Sequence, residues 1–275
     1  MNGMPDDATF LCSSDHRCNI LTALSDDACD RRDLQSITGA SQPTVSRILA
    51  DFERRHWIRR DGHRYRLTEL GTLITERLAA FAGTMRTAEQ LREIWPWLPH
   101  EIDEFSIELF TDIVISRPGP AYPYQPMPRL TTLLSETSSL RGFGMALLKS
   151  GHLELFVDRL QTGFECEYVY PPEVFAELLS WNHEVIAASL ASGNYVVYVH
   201  DDLPIDERCG VCVFDDRTSI CCNDTATGTL QSLVDTGSVE MHEWAESYYQ
   251  RYRAEACFID PEDDLRSMAQ SLPSF

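Results

Sequence analysis

The run from Ser41 to Leu67 constrains the fold more than any other stretch of the chain. Val45, Ile48, Leu49 and Phe52 recur at helical spacing, Ser41 stands where an N-cap belongs, and Pro43 falls in the first turn, where a missing N–H costs little. These signals predict a helix over 41–56. Trp57 to Leu67 then carries two short alternating runs around Asp61-Gly62, the strongest short-range signal for a β-hairpin. The alternation sets Tyr65 and Leu67 on one face and Arg64 and Arg66 on the other. A helix that feeds straight into a tight hairpin leaves few arrangements open to its neighbours.

The upstream residues narrow the choice. Ile20, Leu21 and Leu24 give a short amphipathic helix before Ser25-Asp26-Asp27. Asp30, with Asp33 three residues on, opens a second helix as an N-cap pair, and Gly39 ends it. Leu34 and Ile37 are expected to face its core. Three helices, a glycine-containing turn and a hairpin in this order predict an α+β winged helix-turn-helix domain over residues 1–75. In such a unit the third helix enters the major groove of DNA by its N-terminal end. The outward residues there are Gln42, Thr44, Ser46 and Arg47. Gln can bond adenine bidentately, Arg can fork onto guanine, and the Thr methyl can touch a thymine methyl. The hairpin, over 58–67, offers Arg59, Arg60, His63 and Arg64 to phosphate or to the minor groove. The same pattern also suits a protein-interaction module with solvated arginines, and Arg54 and Arg55 suit pairing with Asp51 or Glu53 as well as DNA.

Charge divides the chain. Acidic residues number 43 and Lys plus Arg 23, a formal net charge of −20. Residues 1–90 nevertheless hold 12 Arg against 13 acids, and Ser41–Arg66 holds seven Arg against three acids, whereas residues 91–275 carry 11 basic groups against 30 acids. Lys149 is the only lysine. Acid excess with lysine loss fits a halophilic chain in a salty cytoplasm, where molar salt shortens the Debye length to roughly 3 Å. An ordinary acidic protein from an arginine-favouring genome is the other reading. The sequence shows no basic start followed by an apolar run, and no window of ~18 apolar residues, so a cytoplasmic location is expected.

Thr68 to about Leu98 reads as a long helix with Leu70, Leu73, Ile74, Leu78, Phe81 and Met85 as its apolar stripe. Residues 76–100 are assigned as a connector that also joins two copies into a homodimer. Residues 101–260 then alternate strands and helices, the pattern of an α/β domain, with a tail over 261–275. Strands are expected at 110–116, 140–147, 164–170, 195–200, 210–214, 218–222 and 230–234, helices at 129–137, 151–161, 172–192 and 238–256, and an antiparallel turn at Asp215-Asp216. Of the nine cysteines, Cys209, Cys212, Cys221 and Cys222 cluster in sequence and form a candidate zinc or thiol-sensor set. Against that, adjacent Cys221 and Cys222 must point to opposite faces of a strand, and the four interleave with Val211, Val213 and Ile220 as core residues would. Core filling is the preferred reading, and no metal or cofactor is assigned. Tyr122, Tyr124, Trp181, Tyr195 and Tyr198 could line a ligand pocket or simply pack.

Four runs carry a resemblance in the first part: Asp30-Arg31-Arg32-Asp33-Leu34, Ser41 through Leu49, Phe52-Glu53, and Tyr65-Arg66-Leu67-Thr68-Glu69-Leu70-Gly71. Together they resemble the winged-helix regulators of halophilic archaea. The second part, through Val213-Phe214-Asp215-Asp216-Arg217, Val234-Asp235-Thr236 and Trp244 to Arg253, is similar to the middle domain of a methanogenesis regulatory protein. The resemblance implies a one-component transcriptional regulator, with double-stranded DNA as partner and a small-molecule effector left open. It also implies an α/β, phospholipase-D-like and non-catalytic second domain. A hydrolase of that kind needs His-x-Lys-x-x-x-x-Asp. Aligned on Asp215, the first two positions hold Arg208 and Gly210; aligned on Asp216, they hold Cys209 and Val211. Neither register supplies a nucleophile and its phosphate-binding lysine, so the chain is not expected to be an enzyme.

Overall fold

The computed structural model describes residues 5–99, 102–120, 122, 125–144, 153–203, 209–224 and 230–261. Contacts divide the chain into two units, Met1–Arg86 and Thr87–Phe275.

The first unit opens with α1 (Asp6–Cys12), which the sequence reading did not anticipate, and α2 (Asp15–Asp26). α3 (Arg31–Thr38) starts at a complete capping box: Asp30 accepts from the Arg32 and Asp33 amides, and Asp33 accepts from the Asp30 amide. It ends at Gly39, in the left-handed region at φ 66°. Leu34 is fully buried, but Ile37 is 60% exposed, contrary to expectation. It sits in the last of only two turns, just before Gly39 redirects the chain, where most of its surface stays open. α4 (Gln42–Arg54) follows with Pro43 in its first turn and buries Val45, Ile48, Leu49 and Phe52. Ser41 is its N-cap by position, yet its hydroxyl bonds the Thr44 hydroxyl at 2.9 Å rather than a backbone amide.

Strands β1 (Ile58–Asp61) and β2 (Arg64–Leu67) pair antiparallel. Asp61 pairs with Arg64, so the tight turn is Gly62-His63, one residue later than the Asp-Gly signal indicates. Gly62 takes φ 61°, which a residue with a Cβ adopts at a cost. A bridge from Cys29 to Tyr65 adds a third backbone rung. Tyr65 is buried, with Leu67 packed beside it, in a core built from Ile20, Leu21, Leu34, Phe52 and Trp57. α5 (Glu69–Leu91) ends several residues short of the expected Leu98; Trp95–Trp97 forms a separate 3-10 turn. Its apolar stripe is split. Ile74 and Leu78 pack on the first unit's core, while Leu70, Leu73, Phe81 and Met85 are about half exposed.

The second unit is a mixed eight-stranded sheet with helices on both faces. Its strands are β3 (Ile113–Ser116), β4 (Ser139–Gly144), β5 (Glu165–Tyr170), β6 (Tyr195–Val199), β7 (Cys209–Phe214), β8 (Thr218–Asn223), β9 (Leu230–Thr236) and β10 (Cys257–Phe258). They lie in the order β10-β6-β5-β4-β7-β8-β9-β3. β4, β5 and β6 run parallel; the remaining pairs are antiparallel. All seven strands expected from the sequence are present, as are the four helices: α6 (Pro126–Glu136), α7 (Leu153–Gln161), α8 (Pro172–Ala191) and α9 (Val239–Glu255). Met145 to Leu147, expected as the end of β4, lie outside the described residues, as do Lys149, Tyr124, Arg208, the side chain of Trp181 and most of the tail. α6, α7 and α8 pack on one face through Leu130, Leu134, Phe156 and Phe175. α9 covers the other through Met241, Trp244, Tyr249 and Tyr252. β7 and β8 are buried along their full length. No described helix is long and apolar enough to cross a membrane.

Candidate nucleic-acid interface

The guanidinium groups of the first unit fall into two sets. One set is committed internally. Arg54 pairs with Asp51. Arg55 reaches Asp7 at 2.8 Å, with its guanidinium 3.9 Å from the centroid of the Phe10 ring. Arg17 bonds the Phe10 carbonyl; burial lowers its pKa, and the nearby Arg47 and Arg55 lower it further. The Arg17 and Arg55 contacts hold α1 against α2 and α4, while Arg54 stays largely exposed beside Asp51.

The other set has no acidic partner among the described residues. It includes Arg47 on the first half of α4 and Arg59, Arg60, His63 and Arg64 on the hairpin, with the hairpin residues all exposed. Gln42 is exposed in the first turn of α4, while Thr44, whose hydroxyl bonds that of Ser41, and Ser46 are half-buried. Arg60 donates through Nε to the Gly62 carbonyl at 2.9 Å, and Arg64 to the Ala28 carbonyl at 3.2 Å, so backbone rather than carboxylates orients both. Arg59 lies directly opposite Arg66 in the strand register. Like charges so placed destabilise a hairpin unless an anion comes between them. Asp61 relieves this only in part, at 3.8 Å from Arg66. In a chain with 43 acidic residues, such a group of uncompensated cations is positioned for polyanions.

The cysteines of the second unit do not converge. Cys209 and Cys222 are register partners with sulfurs 3.7 Å apart, on the α9 face, and both bond the Trp97 carbonyl. Cys212 and Cys221 belong to the core on the opposite face. The sheet itself stands between the two pairs. No group of three or more metal-ligating side chains occurs among the described residues. Burial drives the Cys212 thiol well above its ordinary pKa, the reverse of what a metal ligand or reactive thiolate needs. The aromatic residues also scatter: Tyr195 is buried and bonds Tyr170 at 3.0 Å, Tyr198 bonds Arg253, and Tyr122 is 70% exposed.

Two carboxylates organise the sheet domain; the sequence placed Asp215 in its hairpin turn but gave no sign of its partners, and it missed the role of Asp235. Asp235 on β9 is fully buried, with Arg129 of α6 forking onto both its oxygens at 2.8 and 2.6 Å and Arg217 closing on one of them. Asp215, in the β7–β8 turn, accepts from the amides and hydroxyls of Ser138 and Ser139. Burial raises its pKa, but the four hydrogen bonds outweigh that and hold it at about 2. Both are structural anchors.

A helical unit with a basic hairpin, followed by a three-layer mixed-sheet unit, defines a two-domain architecture. Residues 5–90 match the family model of the HVO_A0261 N-terminal domain, and residues 123–255 match that of the middle domain of the methanogenesis regulatory protein FilR1. The two matches do not overlap, and each covers less than half of the chain. The FilR1 protein of Methanothrix harundinacea (strain 6Ac) is 25% identical over 173 residues, which cover 61% of this chain and 38% of that protein. Among solved structures, TrmBL2, an archaeal chromatin protein with a novel mode of DNA binding, aligns over 93% of this chain and 100% of its own, with 11% identity and a TM-score of 0.42. Nuc, a phospholipase D family member from Salmonella typhimurium, aligns over 54% of this chain and 97% of its own, with 14% identity and a TM-score of 0.40. Scores of this size do not define a shared fold.

Proposed function

We propose that the chain is a sequence-specific DNA-binding transcriptional regulator, a homodimer acting in a salt-rich cytoplasm. The first unit works as a winged helix-turn-helix. Gln42, Thr44, Ser46 and Arg47 read base edges in the major groove, and the hairpin holds backbone or minor groove. The observation that carries this reading is the set of exposed arginines without acid partners, above all Arg59 opposite Arg66. The match to the middle domain of a methanogenesis regulatory protein and the FilR1 relative agree with a regulatory role. The exposed apolar side chains of α5 supply a surface for the second copy. The sheet domain is a non-catalytic effector or dimerisation module. In support, the positions that a phospholipase-D-like strand would need for His and Lys hold, in one register, the buried Cys209 and Val211.

Fluorescence anisotropy on the full chain tests the reading, with a duplex selected from a random pool and an unrelated duplex, across a salt series. Arg47→Ala should cost about 1–3 kcal/mol on the selected site and relax base choice at one position. Replacing Arg59 and Arg64 with Gln should weaken both duplexes alike and flatten the salt dependence. Absence of any preference between the duplexes would refute sequence-specific recognition.

A further inference from the structure

Where the first turn of α3 meets the hairpin there is a polar depression of about 250 Å³, lined by Asp30, Arg31, Arg32, Arg60, His63 and Tyr65. The two acids beside it are already engaged. Asp30 accepts from the Arg32 and Asp33 amides at 2.6 and 2.9 Å, and Asp33 accepts from the Asp30 amide at 2.9 Å. The Arg32, Asp33 and Leu34 amides are therefore satisfied, and the donors that line the depression are chiefly side chains. The Arg31 guanidinium lies 5.8 Å from the centroid of the Tyr65 ring, a buried side chain that fixes its position. Arg60 is tied through Nε to the Gly62 carbonyl, which leaves its two terminal nitrogens for a ligand. Arg31, Arg32, Arg60 and His63 have no acidic partner among the described residues.

We infer that this depression is a phosphate clamp, in which Arg31, Arg32, Arg60 and His63 grip one phosphodiester of the DNA backbone. The inference rests on the DNA-binding reading and deepens it. It adds Arg31 and Arg32 to the interface and commits Arg60 and His63 to the backbone instead of the minor groove. Guanidinium groups present paired N–H donors at the spacing of phosphate oxygens, so arginine suits such a grip better than lysine. The capping carboxylates hold the first turn rigid and so present Arg31 and Arg32 in fixed positions. A contact of this kind carries no base information and sets the register of the recognition helix on the duplex.

The test uses the full chain, the selected duplex and a random duplex over a salt series. Arg31→Gln with Arg32→Gln should weaken both duplexes equally and reduce the slope of log affinity against log salt by about 1, the share of one phosphate. Base preference should stay unchanged. The doubly Lys-substituted chain, which keeps the charge and loses the fork, should recover the slope but not the full affinity. An unchanged slope in the Gln variant would overturn the clamp, as would a loss confined to the selected duplex. Titration with inorganic phosphate separates the remaining source. If the Gln variant loses phosphate binding while its DNA slope is intact, the pocket serves a small phosphate ligand and the clamp is refuted. A wild-type chain that binds neither duplex would instead overturn the DNA-binding reading itself.

Discussion

Removing the Asp235 carboxylate should produce a large loss of stability in the sheet domain. The side chain is fully buried on β9, while its partners Arg129 and Arg217 keep 25% and 22% of their surface. Arg217 also bonds the carbonyls of Asp112 and Asp235. The pair of arginines thus ties α6, the β7–β8 turn and the start of β3 to one carboxylate. Breaking a buried ion pair from one side costs about 3–5 kcal/mol, because the remaining charge is left without compensation. Here the arginines can turn partly toward water, so Asp235→Ala should lie near the lower end, about 3 kcal/mol. With a urea m-value of about 2 kcal/mol/M, the midpoint should fall by about 1.5 M. Asp235→Asn should lose nearly as much, since shape is kept and charge is removed. The assay is equilibrium urea unfolding at fixed high salt, followed by tyrosine and tryptophan fluorescence. Adding Arg129→Met to Asp235→Ala should cost less than the sum of the two single changes. Simple additivity, or an Asn variant as stable as the parent, would refute the account.

Asp215 gives a pH signature. Its folded pKa of about 2 lies below the ordinary value of 3.8, so its contribution is present above pH ~4 and lost as pH falls toward 2. The group is exposed, and after discounting for solvent screening the contribution is about 1 kcal/mol. Comparison of Asp215→Asn with the parent from about pH 6 to about pH 2.5 should show the difference shrinking over that window; a constant difference would argue against it. Cys212→Ala should leave DNA affinity within about twofold, whereas Cys212→Ser should destabilise by about 1–3 kcal/mol, because the buried hydroxyl replaces a sulfur that lies 3.9 Å from the Tyr168 hydroxyl, too far for a full O–H···O bond. Stoichiometric zinc in freshly purified protein, lost in the Cys212 variants, would overturn the core-filling role.

Legibility followed the range of the interaction. The capping box at Asp30 and Asp33, the stop at Gly39 and the hairpin around Gly62 are local, and each could be read from a few adjacent residues. The exact turn could not: whether Asp61 ends a strand or enters the loop depends on the pairing register. Ile37 misled because its spacing from Leu34 is helical, while its exposure depends on what lies beyond Gly39. The partition of the four cysteines followed from strand alternation, since Cys221 and Cys222 are adjacent. Asp235 stayed hidden because Arg129 lies far away in sequence and leaves no periodic trace. The depression beside Arg31 and Arg32 was missed for a similar reason. Those residues looked like ordinary first-turn polar positions until the hairpin came to rest beside them.

The strand order also governs how the sheet domain reaches its native state. β7, β8 and β9 form a meander of neighbours in sequence, whose hairpins close short loops and pair early. β3, by contrast, belongs to the opposite end of the domain's sequence and seals the outer side of β9 only after most of the intervening chain has been placed. Until it arrives, β9 presents a row of unsatisfied amides and carbonyls alongside Leu233 and Val234. An exposed apolar edge of this kind recruits strands from other molecules. During refolding of the whole chain the pairing of β3 with β9 is thus the step that decides between a closed sheet and an intermolecular one.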